Sequence, residues 1–487
     1  MDRRDISMAL FVGAVGAAST AKDAVAQSCT PPCYPRSQAE INAGVTPTAA
    51  GYAYPPLNIC RYGADPTGAS TSDTAMANAI AVCGAVGGTI VAPTGTYVFA
   101  NQINLNQKSS IVIQGAGTTN AGATGATVFS YSGTGAGPWI LLNSALGVKF
   151  VGVQFIHSNS GFSGTYIQCN NDGAHGDPSY CGVYDCNFGA NIGTGQMHLD
   201  LNTCILFTAE RCSFQFGNPS VVGQKSGGYS NVIRFRDCEW FNNHAVPLQN
   251  GGESWSFEGC TFEPLLSGAP GALLASASVA FVGLTITGCW FGDATATAGS
   301  WLDIYGANML FSGNVIGGNQ AGTTGITLRR FAGASIIGNA FEGLLAGVNF
   351  AVANCLCPVV RGNTFNSVTT PVVNGNNVPT GSFDFGGNYG LTLPGSNHGS
   401  IGFNGYAVEP YGLIRQWGTA SVSNGTLQTV SFPLPFPNAC LNVVPALTSV
   451  INLNSTIYPS NLTTTGFSVH IQDAAGTDTF FWQAIGY

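Results

Sequence analysis

The chain has little charge and almost no long apolar run. Only 8% of its 487 residues are charged, with 15 Lys and Arg against 23 Asp and Glu. Because nucleic-acid binding needs a clustered basic surface, this composition argues against a nucleic-acid partner. The apolar run of residues 8–18 is too short to span a bilayer, and no other stretch suggests a membrane anchor. We therefore expect neutral or weakly charged partners.

Glycine, cysteine and apolar residues are plentiful by contrast. The chain has 66 Gly and 15 Cys, and its hydrophobic content is 45% with 11% aromatic residues, which excludes disorder. Glycine at this level is typical of a fold with many tight turns, because glycine adopts positive φ without strain. The composition thus indicates an ordered fold rich in turns.

One six-residue phrase recurs eight times at intervals of 22 to 29 residues. Its first residue is apolar, its fourth is small or Asn, and its sixth is aromatic or Ile. The copies end at the following residues: VYDCNF at Phe188, AERCSF at Phe214, FRDCEW at Trp240, FEGCTF at Phe262, ITGCWF at Phe291, FSGNVI at Ile316, IIGNAF at Phe341 and VRGNTF at Phe365. Repeats this short cannot bury an apolar face alone, so they must stack on one another. The repeat predicts an all-β fold, a right-handed parallel β-helix.

The fourth phrase position predicts two internal ladders of identical side chains. It reads Cys186, Cys212, Cys238, Cys260, Cys289, Asn314, Asn339 and Asn363. Because free Cys behaves as a small buried hydrophobe, we expect the five ladder cysteines to be buried and reduced. The pairs Cys29 with Cys33 and Cys60 with Cys83 are better disulfide candidates.

The first 26 residues read as an export signal. Arg3 and Arg4 precede the short apolar run, and Ala24-Val25-Ala26 offers a cleavage site of small residues. The twin-arginine route and other export routes both stay open. A Pro-rich extension covers residues 27–57. The expected location is extracellular, or the virion tail if the gene derives from a phage.

Residues 58–405 form the predicted β-helix and begin with a lid. Ser72 followed by Met76, Ile80 and Cys83 predicts a short helix that caps the first coil. The stretch resembles the opening of the pectate-lyase-like superfamily, in its rhamnogalacturonase and epimerase branch. The matching residues are Tyr62, Gly63, Ala64, Gly87, Gly88, Pro93, Gly95 and Tyr97. They are scaffold residues in that family, so the resemblance implies the fold more than an activity.

Residues 406–487 have a different sequence pattern from the repeats before them. Alternating β-branched and aromatic residues between turns predict an antiparallel β-sandwich. The QWG at Gln416, the segment from Phe432 to Cys440 and the terminal FFWQAIGY resemble the C-terminal domain of phage tail-fibre proteins. That resemblance implies a trimerising, receptor-binding tip, hence a homotrimer with a polysaccharide or cell-surface glycan as partner. Trp417 and Trp482 are either sugar platforms or core residues.

The second phrase position should point outward, because successive strand residues face opposite sides. It places Glu210, Arg236 and Glu258 on successive coils, with the two carboxylates about 9 to 10 Å apart. This separation is near the upper end of the range for inverting glycosidases. Glu210 and Glu258 are therefore catalytic candidates and Arg236 a substrate-binding candidate. The alternative is a solvent-facing charge ladder.

Two further strands carry candidate residues. In SWLDIYG, alternation places Trp301, Asp303 and Tyr305 on one exposed face, where Asp303 is a third catalytic candidate and the two aromatic residues bind sugar. In QMHLDLN, alternation turns His198 and Asp200 outward as substrate-binding residues, because a His beside an Asp can transfer protons near neutral pH. For the His198 and Asp200 pair, the alternative is an ordinary surface histidine.

No metal spacing is diagnostic, and we expect no cofactor. The loop residues Asn170, Asn171, Asp172, His175 and Asp177 offer calcium as the alternative. The best functional interpretation is a tailspike-like protein, extracellular or from a phage or prophage, that recognises polysaccharide. Depolymerase activity, as a glycoside hydrolase or polysaccharide lyase, stays open. The alternative is a non-catalytic glycan-binding tail fibre or adhesin.

Overall fold

The computed structural model describes residues 33–84, 87–119, 125–189, 196–225, 228–292, 294–296, 298–319, 321–353, 355–374, 377–378, 387–390, 399–400, 404–408, 413–423, 425–448, 456–472 and 477–487. The chain winds into stacked coils, and strands of successive coils pair in parallel. The three strand positions of a coil form three faces, which we name A, B and C in chain order. The predicted parallel β-helix is therefore the observed fold. The predicted export signal lies outside the described residues.

Face A ends at the residue that occupies the second phrase position. Its strands are Gly88–Val91, Ile111–Gln114, Lys149–Val151, Gly182–Tyr184, Thr208–Glu210, Arg234–Arg236, Ser256–Glu258, Thr285–Thr287 and Val359–Arg361. Face B follows across a short corner. Its strands are Gly95–Phe99, Thr127–Tyr131, Gln154–His157, Asn187–Phe188, Ser213–Gln215, Glu239–Phe241, Thr261–Phe262, Trp290–Phe291, Val315–Gly317, Ala340–Glu342 and Thr364–Asn366.

Face C completes each coil. Its strands are Ile103–Asn104, Ile140–Leu141, Thr165–Gln168, Met197–Asp200, Val221–Val222, Leu248–Gln249, Leu273–Leu274, Ala346–Phe350 and Thr370–Val373. Two long strands, Gly299–Ser312 and Thr323–Ile337, continue from face C into face A. Short strands Gly252–Glu253 and Phe281–Val282 pair between these faces. The coils therefore have the same three-sided plan along the described β-helix.

The corner between faces A and B explains the repeated phrase. In all eight copies the third residue has positive φ, between 49° and 66°. It is Gly in the last five copies but Asp185, Arg211 and Asp237 in the first three. This left-handed residue turns the chain, so that the fourth side chain points into the core.

Aromatic rings at the sixth phrase position stack along the axis of the β-helix. The centroids of Phe214 and Trp240 are 5.2 Å apart, and those of Trp240 and Phe262 are 4.7 Å apart. These distances are close to the spacing between neighbouring strands, because one ring lies directly above the next. All these rings are buried. The stack holds the coils in one register.

The predicted asparagine ladder is a continuous hydrogen-bonded column. The backbone N and Nδ2 of Asn314 both donate to Oδ1 of Asn339, at 2.9 and 3.0 Å. Asn339 makes the same two bonds to Asn363, and Asn363 makes them to Asn388. Each Asn therefore satisfies backbone groups of its neighbouring coil that would otherwise be buried without a partner.

The five ladder cysteines are buried and free, as predicted. Burial raises the pKa of Cys186 and Cys212 well above that of an ordinary thiol. The predicted Cys60–Cys83 disulfide is wrong, because both are buried free thiols and the Cys60 Sγ lies 3.6 Å from the Tyr97 hydroxyl instead. Cys33 is disulfide-bonded. Its predicted partner, Cys29, lies outside the described residues.

Four of the five described helices lie at the N-terminal end of the β-helix. The α-helices are Gln38–Asn42 and Asp73–Cys83, and the 3-10 helices are Ala50–Ala53, Ile59–Tyr62 and Ala277–Val279. Helix Asp73–Cys83 buries Met76, Ile80 and Cys83, as the apolar stripe predicted. Ser72 precedes it but makes no capping bond, since its Oγ accepts from the Asp65 N–H at 3.2 Å.

The C-terminal strands form two antiparallel sheets. One contains Gly399–Ser400, Gly405–Val408, Ile414–Ser423, Thr477–Gly486 and Cys440–Leu447, and the other contains Leu427–Ser431, Gly466–Gln472 and Thr456–Ser460. Trp482 is a core residue that packs on Phe432 and Phe467, whereas Trp417 is half-buried. None of the described helices is long and apolar enough to cross a membrane.

Candidate functional site

The predicted charge row on face A has the expected register. Glu210 pairs with Arg236, and Arg236 pairs with Glu258, in three successive strands. The ion pairs differ from the expectation, because Arg236 contacts only Glu258, with Nε 3.3 Å from Oε2. Glu210 is bound by Arg211 of its own coil. The same guanidinium contacts Asp185 at 2.7 Å.

These ion pairs bear on the proposed chemistry. Each of the three predicted catalytic carboxylates contacts an arginine: Glu210 contacts Arg211, Glu258 contacts Arg236 and Asp303 contacts Arg329. Each of these carboxylates is therefore engaged with a cation of its own wall, whereas a catalytic acid or base must reach the substrate. The arrangement is better suited to holding charges in fixed positions than to contacting a glycosidic bond.

The remaining candidates lie on face C, away from this row. Asp303 and Asp200 occupy one outward row with Val222, Gln249 and Leu274 between them. Four coil spacings separate the two carboxylates, or about 19 Å. The structure therefore brings Glu210, Arg236 and Glu258 together but places the acids of face C on a different wall.

Two predicted outward residues, Trp301 and His198, are buried instead. Trp301 is fully buried against Phe291, and its indole Nε1 donates to Gly317 O at 2.7 Å. Its neighbour Leu302 is also buried, so alternation fails at this point. The reason is local: Trp301 lies at the entry to face C, where two successive residues face the core. Tyr305 and Asp303 remain half-exposed.

His198 occupies the same entry position four coils earlier in the row. The N–H groups of His198 and Leu199 both donate to Ser220 O, so two residues oppose one and the strand bulges. The bulge turns the imidazole onto Tyr166, Phe188 and Phe214. Burial lowers its pKa to about 3. A neutral, enclosed imidazole cannot reach a bound glycan, so the predicted surface role of His198 is wrong.

Asp200 is also buried rather than exposed. Its side chain is 3% exposed, because Lys225 covers it with Nζ 2.7 Å from Oδ2. Gln168 and Asn170 approach the same oxygen at 3.4 Å. The residue therefore contributes to a closed polar cluster and is not accessible to a substrate.

The candidate calcium loop is held by its own hydrogen bonds. Asp172 accepts from the backbone N–H groups of Ala174 and His175 and contacts Nδ1 of His175 at 2.8 Å. Asn171 donates to Asp177 at 2.7 Å. Among the described residues, no group of three or more His, Cys, Asp or Glu side chains could hold a metal ion. Calcium binding by this loop stays a prediction.

A groove of about 540 Å³ runs along the corner between faces A and B. Its polar lining comes from the third and fifth phrase positions of three to four successive coils, with two threonines of an earlier loop beside them. The lining side chains are Thr118, Thr119, Asn187, Arg211, Ser213, Asp237, Glu239 and Thr261. Because the corner turns sharply, it brings the two rows together above the cysteine ladder. We name this the corner groove.

The free acceptors of the corner groove are Asp237 and Glu239. Both are exposed, and within the described part of the chain neither forms an ion pair or a side-chain hydrogen bond. A carboxylate offers two acceptor oxygens, which suits hydroxyl donors of a sugar. From the sequence, Asp237 and Glu239 are expected only to flank the coil of Arg236 and add acidity. Strand alternation applied to the fifth phrase position, three residues after the second, would have predicted this row.

Comparisons with known proteins bear on the two parts separately. Residues 408–487 match a family described as "Putative tail fiber protein gp53-like, C-terminal". This match confirms the predicted resemblance of the C-terminal residues to tail-fibre proteins. The matched segment is a small part of the chain, and it leaves the β-helix unassigned.

Three individual proteins are similar to parts of the chain. Uncharacterized protein MJ0347 of Methanocaldococcus jannaschii is 40% identical over 95 residues, covering 17% of this chain and 63% of that protein. The R2 pyocin fiber of P. aeruginosa is 28% identical, covering 20% of this chain and 27% of the other, with a TM-score of 0.18. The Dettilon tailspike protein is 10% identical, covering 88% and 93%, with a TM-score of 0.48. The chain spans less than two thirds of the first two proteins.

Proposed function

We propose that the protein is a tailspike-like glycan-recognising protein, whose β-helix wall binds a polysaccharide and whose C-terminal residues form a tail-fibre tip. The observation that carries this proposal is the corner groove on a β-helix that is followed by a tail-fibre-like segment. Loops and corners on a rigid scaffold are the usual place for binding residues. The groove is open and polar, which suits a long hydroxyl-rich ligand better than a small apolar one.

Binding is better supported than cleavage. The carboxylates predicted to be catalytic, Glu210, Glu258 and Asp303, each contact an arginine. Depolymerisation is the second candidate, and the observation that favours it is the pair of unpaired carboxylates, Asp237 and Glu239, in the groove. If the protein cleaves its ligand, the general acid and the general base are among Asp237, Glu239 and the three predicted carboxylates.

The purified chain, incubated with a panel of bacterial surface polysaccharides, tests both candidates. Binding is measured by biolayer interferometry, and cleavage by new reducing ends together with the absorbance of unsaturated products. We expect binding to at least one polysaccharide. A chain that binds none of a broad panel contradicts the proposed function, whereas cleavage products identify the depolymerase.

Amide variants then assign any cleavage. We compare Asp237→Asn and Glu239→Gln with Glu210→Gln, Glu258→Gln and Asp303→Asn. General acid–base catalysis contributes about 10² to 10⁴ in rate, whereas a surface ion pair stabilises by about 1 kcal/mol or less. A rate loss of that size with unchanged melting identifies the catalytic carboxylate. Unchanged rates in all five variants would place the chemistry elsewhere.

The proposal includes a homotrimer assembled through residues 406–487 and a location in a virion tail or outside the cell. Exposed apolar side chains on the five-stranded C-terminal sheet support assembly, among them Phe481 at 39% and Val444 at 58% exposed. A sheet face of this kind is stabilised when a second copy covers it.

A further inference from the structure

Trp290 is a large, partly exposed aromatic side chain on the outer wall of face B. It occupies the fifth position of its phrase and is 37% exposed. A Cβ added at Gly292 would lie 1.8 Å from the Cζ2 and Cη2 atoms of the indole. The ring therefore covers Gly292, and only a residue without a side chain leaves room for it. The surface of the indole that faces away from Gly292 is open to solvent.

Trp290 continues the polar row of the corner groove. Asn187, Ser213, Glu239, Thr261 and Trp290 are paired in register, strand by strand, along face B. Four strand spacings separate the first from the last, so the row is about 19 Å long. This length accommodates several linked sugar rings. The wall thus offers hydrogen-bonding side chains over most of the row and one aromatic platform at its end.

Charge along this wall is unevenly compensated. Arg211 forms ion pairs with Asp185 and Glu210, and Arg236 forms an ion pair with Glu258. Asp237 and Glu239 form no ion pair within the described residues, although Arg211 lines the same groove, so the carboxylates outnumber the arginines there. Of the remaining face A cations, Lys149 and Arg234 begin their strands and so lie at the opposite edge from the corner, and Arg361 lies three coils beyond the coil of Trp290. This wall therefore carries net negative charge. It would repel an anionic ligand, because like charges brought close together oppose association.

We propose, resting on the proposed function, that Trp290 and the corner groove form one binding strip for glycan chains that carry no acidic groups. The apolar face of one sugar ring packs on the indole, while hydroxyls of neighbouring rings in the same chain donate to Asp237 and Glu239. Carboxylate-bearing chains, such as those rich in uronic acids, are excluded by the unpaired carboxylates. The strip therefore selects neutral polysaccharides.

Binding of the intact chain to two sets of bacterial surface polysaccharides tests the strip, one set neutral and one containing uronic or sialic acids. We compare Trp290→Ala and Gly292→Ala with the control Val315→Ala, which alters the next outward residue of the same row. Gly292→Ala keeps the indole but displaces it. Both test variants should bind the neutral polysaccharide about tenfold or more weakly, as for a central aromatic contact, while the control keeps its affinity.

Charge selection is tested with the double variant Asp237→Asn, Glu239→Gln and with Glu342→Gln as its exposed control on face B. The double variant should lose affinity for the neutral polysaccharide and gain affinity for the acidic set, and the control should do neither. Equal binding of both sets by the unaltered chain overturns the inference, as does unchanged affinity in the Trp290 and Gly292 variants. Failure to bind any polysaccharide instead overturns the proposed function.

Light scattering on the same variants tests whether a second copy of the chain, rather than a glycan, covers this wall. A change in oligomeric state on replacing Trp290 would show that a second copy of the chain covers the indole, and it would overturn the inference. We expect the oligomeric state and the melting temperature of the Trp290 and Val315 variants to match those of the unaltered chain.

Discussion

Buried side chains of this β-helix act on two coils at once. Oδ1 of Asn339 accepts from the backbone N and Nδ2 of Asn314, and its own Nδ2 donates to Phe311 O at 2.9 Å. Loss of one such amide leaves buried donors and an acceptor without partners, and each costs about 1 to 3 kcal/mol. A single residue in the ladder therefore affects the stability of neighbouring coils.

We predict that Asn339→Ala lowers the free energy of unfolding by about 2 to 4 kcal/mol, because two donors of Asn314 lose their shared acceptor. Chemical denaturation followed by tryptophan fluorescence measures the change. Asn366→Ala, at an exposed position of face B, is the control and should change stability by less than about 0.5 kcal/mol. Equal stability of the two variants would mean that the ladder is structurally neutral.

The cysteine ladder tolerates one polar replacement but not a charged one. Sγ of Cys238 lies 3.5 Å from Ala209 O and 3.3 Å from Arg236 O, so a Ser hydroxyl would find an acceptor there. We predict a loss of about 1 kcal/mol for Cys238→Ser. Cys238→Asp should not fold, since its carboxylate would face two carbonyl oxygens without water. Soluble expression and melting temperature distinguish the outcomes, and a folded Asp variant would contradict the buried geometry.

At the scale of elements, the N-terminal lid helix Asp73–Cys83 packs on the 3-10 helix Ile59–Tyr62, which a fully buried ion pair anchors. Arg61 and Glu40 are fully buried, with Nη2 of Arg61 2.9 Å from Oε2 of Glu40. Arg61 also donates to the carbonyl oxygens of Tyr34, Tyr54 and Pro35. The pair thus ties the segment before the β-helix to the 3-10 turn that begins it.

Acid should loosen this lid. Burial alone would raise the pKa of Glu40, but hydrogen bonds from Arg61 and Ser37 hold it below its usual 4.5. Because the folded-state pKa is the lower one, the stabilisation is present above pH 4.5 and is lost as the pH falls. We predict that Glu40→Gln destabilises by about 3 to 5 kcal/mol at pH 7, by leaving Arg61 without its counter-ion.

Melting temperatures of Glu40→Gln and the unaltered chain from pH 7 to pH 3 check this prediction. The difference between them should shrink as the pH falls below 4.5, because protonation of Glu40 in the unaltered chain removes the charge that the Gln variant already lacks. Glu342→Gln, at an exposed site, is the control and should follow the unaltered chain throughout. A difference that stays constant with pH would show that Glu40 acts through packing alone.

At the scale of the whole molecule, the proposed trimer depends on the C-terminal sheet. Phe481 and Gln483 face outward from strand Thr477–Gly486, and Val444 faces outward opposite Gln483. We predict a trimer for the intact chain and a monomer for a chain ending at Gly405. Phe481→Glu should also give monomer, since it places a charge in an apolar contact.

Multi-angle light scattering measures these masses. Thr477→Glu, exposed on the same strand but at its end, is the control and should remain trimeric. A monomeric intact chain, or a trimer that survives removal of residues 406–487, contradicts the prediction. The second result would move the assembly contacts to the wall of the β-helix.

The sequence by itself determined the fold class, the inward cysteine and asparagine ladders and the register of Glu210, Arg236 and Glu258. Each follows from a short repeat, because coils of this length can bury their apolar side chains only by stacking with equivalent positions in register. Only the tertiary structure decided the surroundings of Trp301 and His198, because strict alternation fails where a strand enters face C or bulges. It also decided which arginine meets each carboxylate and that the third and fifth phrase positions converge at one corner. Such contacts join residues from different coils, and no local pattern records how a corner brings them together.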